Sequence, residues 1–377
     1  MKGILFLSNS FLPNTGGVET HLYHLCKYLI DKNYRIFVLT YQPLTTKAKG
    51  LTIERIKNLQ IFRIQWFGCG LFHKFTRTPL LLFLYLFPGL FVVSLIFLLR
   101  KHKSIDIIHA QGLVPAFIVK IVNWIFKKRC ILSLHSIIGS CRGRFLGNFV
   151  PWIASSFHGI ITYSQKSYDE LVSLGVPEDK MFLCTQWVDL RLFKPLSHIA
   201  CKKMFSLNDM FVVLFVGRFI EEKGVRLLLE VSRYTNPKIT FAFIGDGPLI
   251  ELIKNKASVQ QNILLFGRVS TTELVKLYNA ADIVVVPSQH EEFFGRVVME
   301  ALACGSPIVV SNKGNLPDLV RETVGSVVNP TVKDLVNCLN ELYSKRHMLK
   351  YMRPKCRNYA LVRFSERNAE SIIKAYT

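Results

Sequence analysis

Two series of short apolar runs, alternating with helical patterns, constrain this chain more than any other feature. Ile4–Ser8, Arg35–Thr40, Ile61–Trp66, Ile105–His109, Ile131–His135 and Gly159–Tyr163 make the first series. Phe211–Val216, Thr240–Ile244, Ile263–Phe266, Ile283–Val286, Pro307–Val310 and Gly325–Val328 make the second. Between the first two runs, Leu22, Leu25, Leu29 and Ile30 recur at helical spacing. Helical patterns also fall between runs of the second series, at Thr272–Asn279 and Val297–Ala303. Such alternation predicts doubly wound parallel sheets. The polar stretch Ser197–Asp209 parts the two series, so two α/β domains are expected, 1–197 and 198–356. The tail, 357–377, ends in another helix, which Ser365 would cap, with Ala369, Ile372, Ile373 and Tyr376 as its apolar face. The length of 377 residues suits two domains. No short repeat period points to a solenoid.

Charge narrows the partners. The chain carries 48 Lys/Arg against 26 Asp/Glu, a net +22. Residues 1–198 hold +15 of that excess, and nine basic residues against one acid, Asp106, lie between Arg100 and Arg144. Just before them, Thr78–Leu99 is 22 residues without a charge. By length it is a membrane-span candidate. Pro88-Gly89 is expected to break it, and strand-like runs on both sides would be separated by a true span. The favoured reading is a peripheral apolar surface on an anionic, cytoplasmic membrane face, ahead of a buried core helix or a span. Met1–Leu7 reads as a first strand rather than a signal peptide. The nine cysteines are scattered with no C-x-x-C pair, which suggests reduced thiols and argues against a zinc site. Half the residues are hydrophobic, which excludes a disordered chain.

Glycines and charges after the strands are the candidate ligand groups. In a doubly wound sheet, ligands sit beyond the carboxyl ends of the strands. Gly16-Gly17 follows the first strand and opens a helix, where backbone can approach an anion. Arg218 and Lys223 flank a glycine-bounded loop after Phe211–Val216, and a diphosphate needs such fixed cations. Gly245-Asp246-Gly247-Pro248 is another strand-end turn. Glu292 lies in the loop after Ile283–Val286, and Glu300 lies inside the next helix, with Phe294-Gly295-Arg296 turning the chain between them. Carboxylates beside a diphosphate suit hydroxyl partners, a sugar and a ribose. Each motif alone is as well explained by a solvated loop. His109 and His135 both end expected strands of the first domain, as structural or functional groups. No metal-ligand spacing, nucleophile elbow, dinucleotide fingerprint or P-loop is present. No nucleic-acid recognition module is present either.

Taken in order, these motifs resemble glycosyltransferase family four, retaining nucleotide-sugar transferases of GT-B fold. The residues that carry the likeness are Phe11-Leu12-Pro13, Gly16-Gly17-Val18-Glu19, Asp106-Ile107-Ile108-His109, the Arg218/Lys223 loop, Gly245-Asp246-Gly247-Pro248 and Glu292-x7-Glu300. The resemblance implies two Rossmann-like domains facing a cleft, the first for the acceptor and the second for the donor. It implies that Arg218 and Lys223 neutralise the donor diphosphate and that Glu300 holds the ribose. Glu292, with the amides around Phe294-Gly295-Arg296, would hold the sugar. Gly17 and Gly245 would lie near the donor, His135 near the transferred sugar, and Gly16 and His109 on the acceptor side. No metal and no cofactor are implied beyond the nucleoside diphosphate sugar itself. With the apolar segment, the expected acceptor is a membrane lipid or lipid-linked saccharide, in glycan or glycolipid synthesis. The rival reading is a non-catalytic, membrane-associated component of a glycan-assembly complex. Three positions depart from the family pattern: Gln186-Trp187 before Val188-Asp189, Phe293 after Glu292, and Gly314-Asn315 before Leu316-Pro317.

Overall fold

A computed structural model describes residues 1–14, 16–44, 48–67, 71–75, 78–135 and 144–377. They form two compact units, 1–186 with 367–377, and 187–366.

The first unit begins with β1 (Gly3–Ser8), α1 (Gly17–Asp31), β2 (Arg35–Tyr41), β3 (Ile53–Ile56) and β4 (Leu59–Ile64). It continues with α2 (Leu71–Phe75), α3 (Pro79–Lys101), β5 (Ile107–Gln111), α4 (Leu113–Phe126), β6 (Arg129–Leu134) and α5 (Arg144–Ala154). Then come β7 (Gly159–Thr162), α6 (Gln165–Ser173) and β8 (Met181–Leu183). Its sheet has the order β3-β4-β2-β1-β5-β6-β7-β8, parallel except for β3. Every residue of β1 is buried, as a central strand covered by helices on both faces must be.

The second unit holds α7 (His198–Met204), β9 (Phe211–Arg218), α8 (Val225–Tyr234), β10 (Ile239–Asp246), α9 (Ile250–Ala257) and β11 (Ile263–Gly267). After these come α10 (Thr271–Ala280), β12 (Ile283–Val286), α11 (Arg296–Ala303), β13 (Ile308–Ser311) and β14 (Gly325–Val328). α12 (Val332–Ser344) and α13 (Leu349–Arg363) follow. Its sheet, β11-β10-β9-β12-β13-β14, is wholly parallel. The last helix, α14 (Ala369–Tyr376), belongs to the first unit and packs on β6, β7 and β8.

Both sheets reverse their order beside the first strand of the unit, at β1 and at β9. Each places an aspartate at the same point. Asp106 accepts the Gly3 amide at 2.7 Å, and Asp282 accepts the Val212 amide at 2.8 Å. The crevice of a doubly wound sheet opens at such a reversal. The loops after β1 and β9 are therefore where ligand groups belong.

The boundaries differ from those expected in sequence. The polar stretch from Ser197 lies inside the second unit, because Val188 and Phe193 are already buried in its core. Residues 357–366 also stay there, because α13 runs on to Arg363 with Cys356 and Ala360 buried in that core. Seven cysteines are described, and all are free thiols. Cys69 and Cys141 lie outside the described residues.

The break expected at Pro88-Gly89 does not occur. A single helix, α3, runs through it and is long and apolar enough to cross a membrane by length and composition. A proline inside a helix removes one bond and pushes aside a carbonyl. Here aromatic side chains answer the loosened groups. Trp66 Nε1 donates to the Tyr85 carbonyl at 3.0 Å. The Tyr41 hydroxyl donates to the Leu86 carbonyl and accepts from the Leu90 amide at 2.8 Å. Gly89 is needed for this, since a Cβ there would sit 2.5 Å from the Trp66 ring. One stripe of α3, with Leu86, Leu90, Ser94 and Leu98, is buried, while Leu84, Val92, Ile96 and Leu99 are exposed. The helix is thus a core element on one side and an open apolar surface on the other.

Candidate functional site

In the second unit, the ends of β9 and β10 come close because both lack side chains there. A Cβ on Gly245, at φ +141°, would lie 1.8 Å from the Gly217 carbonyl oxygen. The expected ligand glycine therefore has a packing reason of its own. Arg218 closes β9, is exposed, and its side chain has no partner among the described residues. Lys223 is held by Glu292, which also accepts from Ser288 Oγ at 2.7 Å. Burial works to raise the Glu292 carboxyl, but the Lys223 ammonium and the bonds from Lys223 and Ser288 outweigh it and hold it below its ordinary value. The loop that carries Glu292 is laced to both neighbours. Gln289 N donates to the Glu222 carbonyl at 2.9 Å, and Asn315 N donates to the Glu292 carbonyl at 2.7 Å. Gly314 fits against the Glu292 backbone, where a Cβ would approach to 2.2 Å.

α11 begins directly after this loop. Its cap, Gly295, has φ +53°, and a Cβ there would strike Leu319 at 2.3 Å. The Val298 amide turns back to the Gly295 carbonyl at 2.9 Å, and the Arg296 and Val297 amides before it have no intrahelical acceptor, which favours an anion or polar ligand. Phe294 is half-buried just before them. Glu300 is buried, and both its oxygens are occupied. Arg296 Nε donates to Oε1 at 2.7 Å, and the Tyr278 hydroxyl donates to Oε2 at 2.9 Å. Burial and the adjacent Glu300 push the Tyr278 hydroxyl well above its ordinary range, so it stays a donor. In this state Arg296 contributes its side chain to Glu300. Arg218, Lys223, Glu292, Phe294, Gly295, Arg296 and Glu300 thus sit on loops and a helix start at the carboxyl side of one sheet.

In the first unit, Gly16 is the N-cap of α1 and Gly17 its first residue. Gly16 has a steric reason, since a Cβ would lie 2.2 Å from the Glu19 carboxylate. Glu19 in turn accepts from Ser10 Oγ at 2.8 Å and Asn14 Nδ2 at 3.0 Å. It ties down the loop after β1. His135 follows β6, and its Nε2 bonds Gln111 Oε1 at 2.6 Å. Its ring stacks on Tyr163, with centroids 5.1 Å apart.

His109 does not end its strand. β5 runs two residues further, to Gln111, and His109 is fully buried. Nδ1 meets the Tyr376 hydroxyl at 2.8 Å and Nε2 meets Ser133 Oγ at 2.8 Å. Both ring nitrogens are committed inside the unit, so the acceptor-side place expected for His109 is corrected to a core one. The strand-end residue is Gln111. Gln111, Glu19, Ser288 and Tyr278 were missed as site residues; Gln111 and Tyr278 have partners 24 and 22 positions away, while Glu19 and Ser288 bond within their own loops and carry no motif.

Burial pushes His109 and His135 down to about 3, with His135 adding to the effect on His109. Both rings are neutral at pH 7. Between about 6.5 and 3 the unfolded chain takes up protons that the folded rings refuse, so stability falls as pH falls through that window. Chemical denaturation should give a lower unfolding free energy at pH 5 than at pH 7, and His109→Gln should flatten the slope. An unchanged slope in that variant would refute the assignment.

Residues 15–192 match the family model described as Glycosyltransferase Family 4, and residues 202–360 match the model of glycosyl transferases group 1. Over 240 residues the chain is 28% identical to an uncharacterized glycosyltransferase of Methanocaldococcus jannaschii, covering 59% of this chain and 61% of that one. It therefore spans under two thirds of that relative. It is 22% identical over 350 residues to the gpi3 subunit of the phosphatidylinositol N-acetylglucosaminyltransferase of Schizosaccharomyces pombe, covering 89% of this chain and 72% of that one. Sucrose-phosphate synthase from Thermosynechococcus elongatus superposes with a TM-score of 0.83 at 18% identity, over 100% of this chain and 98% of that one. Anabaena HepE in complex with UDP superposes with a TM-score of 0.79 at 21% identity, over 100% and 99%. At these identities the superpositions speak for the fold alone. The two family models follow one another along the chain as its two Rossmann-like units do, and the chain belongs to the family 4 glycosyltransferases of GT-B fold.

Proposed function

We propose that this glycosyltransferase moves a sugar from a nucleoside diphosphate sugar to a membrane-associated acceptor, a lipid or lipid-linked saccharide, with retention. The observation that carries the reading is Arg218, without a side-chain partner among the described residues, at the end of β9 and five positions before Lys223 of the Lys223–Glu292 pair. Two cations there suit a diphosphate leaving group and would stabilise its charge as it departs. The bond from the anomeric carbon to the β-phosphate oxygen breaks while that carbon bonds the acceptor oxygen on the same face. The acceptor proton passes to the departing phosphate oxygen. Glu300 is assigned to the ribose hydroxyls, and Glu292 with the α11 amides to the donor sugar. Gly17 is assigned to the donor phosphates. Neutral His135, held by Gln111, is assigned to hydroxyls of the transferred sugar. No residue is assigned to a metal.

Relatives support the substrate classes: HepE is in complex with UDP, and the fission-yeast relative is a subunit of a phosphatidylinositol N-acetylglucosaminyltransferase. The test is turnover on lipid extracts with UDP-, GDP- and ADP-sugars, and NMR assignment of the product's anomeric configuration. An inverted product would refute retention, and donor binding without transfer would favour the non-catalytic component. Arg218→Ala should cut turnover by about 100-fold at an unchanged melting temperature, since the side chain bonds nothing among the described residues. Near-normal turnover would remove the diphosphate assignment.

A further inference from the structure

The outer surface of the α3–α4–α5 layer is apolar where a helix layer in water should be polar. The stripe Leu84, Val92, Ile96 and Leu99 of α3 is exposed. Beside it on α4, Trp124 is 84% exposed, with Ile121 and Ile125 next to it, and Trp152 of α5 is half exposed. The three helices are one layer: Phe117 of α4 touches Phe83 and Phe87 of α3, and Phe149 and Trp152 of α5.

A second, independent feature borders this face. α3 ends in Arg100 and Lys101, and α4 ends before Lys127 and Lys128. These helices feed the adjacent parallel strands β5 and β6, so both basic ends lie along one edge of the layer. An open recess there is lined by Asn123, Lys127, Lys128, Arg129 and His158, with no carboxylate. His158 Nδ1 accepts the Cys130 amide at 3.1 Å, which leaves Nε2 to carry the proton and donate. Between the recess and the apolar face, Lys120 Nζ lies 4.2 Å from the centre of the Trp152 ring.

We infer that this layer lies flat on an anionic phospholipid bilayer, its apolar stripes in the headgroup–acyl boundary and its basic edge on lipid phosphates. Charge decides for a lipid surface: a wide apolar face bordered by lysines at helix ends matches anionic headgroups over hydrocarbon. Exposed tryptophans suit the same depth. The helix lies in the plane rather than across it. Its inner stripe is sealed on the sheet at Leu86, Leu90 and Leu98, and Tyr41 bonds its backbone at the proline. A span would strip that core. The stripe starts at the carboxyl end of the sheet, the side of Gly17 and His135, so a lipid acceptor would present its headgroup there. The surface rests on the membrane-acceptor reading for its purpose only.

The test is flotation of the full chain with vesicles of phosphatidylcholine, with and without phosphatidylglycerol. The protein should float with the anionic vesicles, come off in high salt and carbonate, and show tryptophan quenching by brominated acyl chains. Trp124→Glu with Val92→Glu should weaken flotation about tenfold or more, at an unchanged melting temperature and unchanged transfer to a water-soluble acceptor analogue. Lys127→Glu with Lys128→Glu should abolish the preference for anionic vesicles. No flotation, carbonate-resistant insertion, an indifferent lysine variant, or a dimer that Trp124→Glu splits would each overturn the inference. Flotation by a protein that transfers no sugar would uphold the surface and sink the enzymatic reading alone.

Discussion

Lys223→Ala should lower turnover by about 100- to 1,000-fold, the cost of removing one fixed charge from a developing anion. It should also lower the melting temperature, for a separate reason. Glu292 is largely buried, and Lys223 is its counter-charge. Removing one partner of a buried pair costs more than the pair is worth, because the remaining charge is left in a poor solvent. The Glu292 carboxyl should then titrate higher than in the parent. Adding Glu292→Ser would remove the loop's bond to Ser288 as well, so the better companion is Glu292→Gln, a neutral group of the same shape. The double variant Lys223→Ala/Glu292→Gln should regain most of the lost melting temperature while turnover stays low. Calorimetry and initial rates on the parent, two single variants and the double variant check this. If turnover returns with stability, Lys223 only balances charge and has no part in the reaction.

Glu300→Ala should be the second most damaging change, and it acts on two observables that a paired variant separates. Tyr278 is fully buried and donates to Glu300. Without its acceptor the hydroxyl is left unpaired, at about 1–3 kcal/mol. For a unit of this size that is a fall of roughly 2–4 °C per kcal/mol. Glu300→Gln keeps an acceptor for the buried Tyr278 and gives up the charge and the bond from the partly exposed Arg296, so its melting temperature should fall less than that of Glu300→Ala. Nucleotide affinity should nevertheless fall in both variants, by about 10- to 100-fold for a lost charge-assisted hydrogen bond to a ribose. Titration calorimetry with nucleoside diphosphates reads this directly. Undiminished affinity in Glu300→Gln would assign Glu300 to Tyr278 and Arg296 alone.

The sheets were legible because buried parallel strands leave near-continuous apolar runs, as at Ile283–Val286 and Phe211–Val216. The loop groups of the second unit were legible because glycines and charges cluster within a few positions, as at Gly295 and Arg296. What was hidden depends on partners far apart in the chain. Lys223 and Glu292 are 69 residues apart, and Gln111 and His135 are 24 apart. His109 looked like a strand end because its apolar run stops there, yet Ala110 and Gln111 continue the strand by pairing with β6. Pro88 looked like a breaker because local rules count only the lost amide. They do not see Tyr41 and Trp66, which come from other elements and supply new partners. The edge strand β3 carries only Ile53 and Ile56 as apolar residues, and β8 is three residues long, too short to be marked.

The bond between His109 and Tyr376 joins positions 267 residues apart within one unit. A ribosome delivers the first of them long before the second. The unit that is made first is therefore completed last: β6, β7 and β8 wait, with the ground under α14 uncovered, until the whole second unit has been synthesised. Domains usually fold in the order in which they emerge. Here the order is broken by eleven residues, 367–377, and the first unit has to survive as an incomplete body during elongation. Changes near the end of the chain should accordingly be felt in the unit at its beginning.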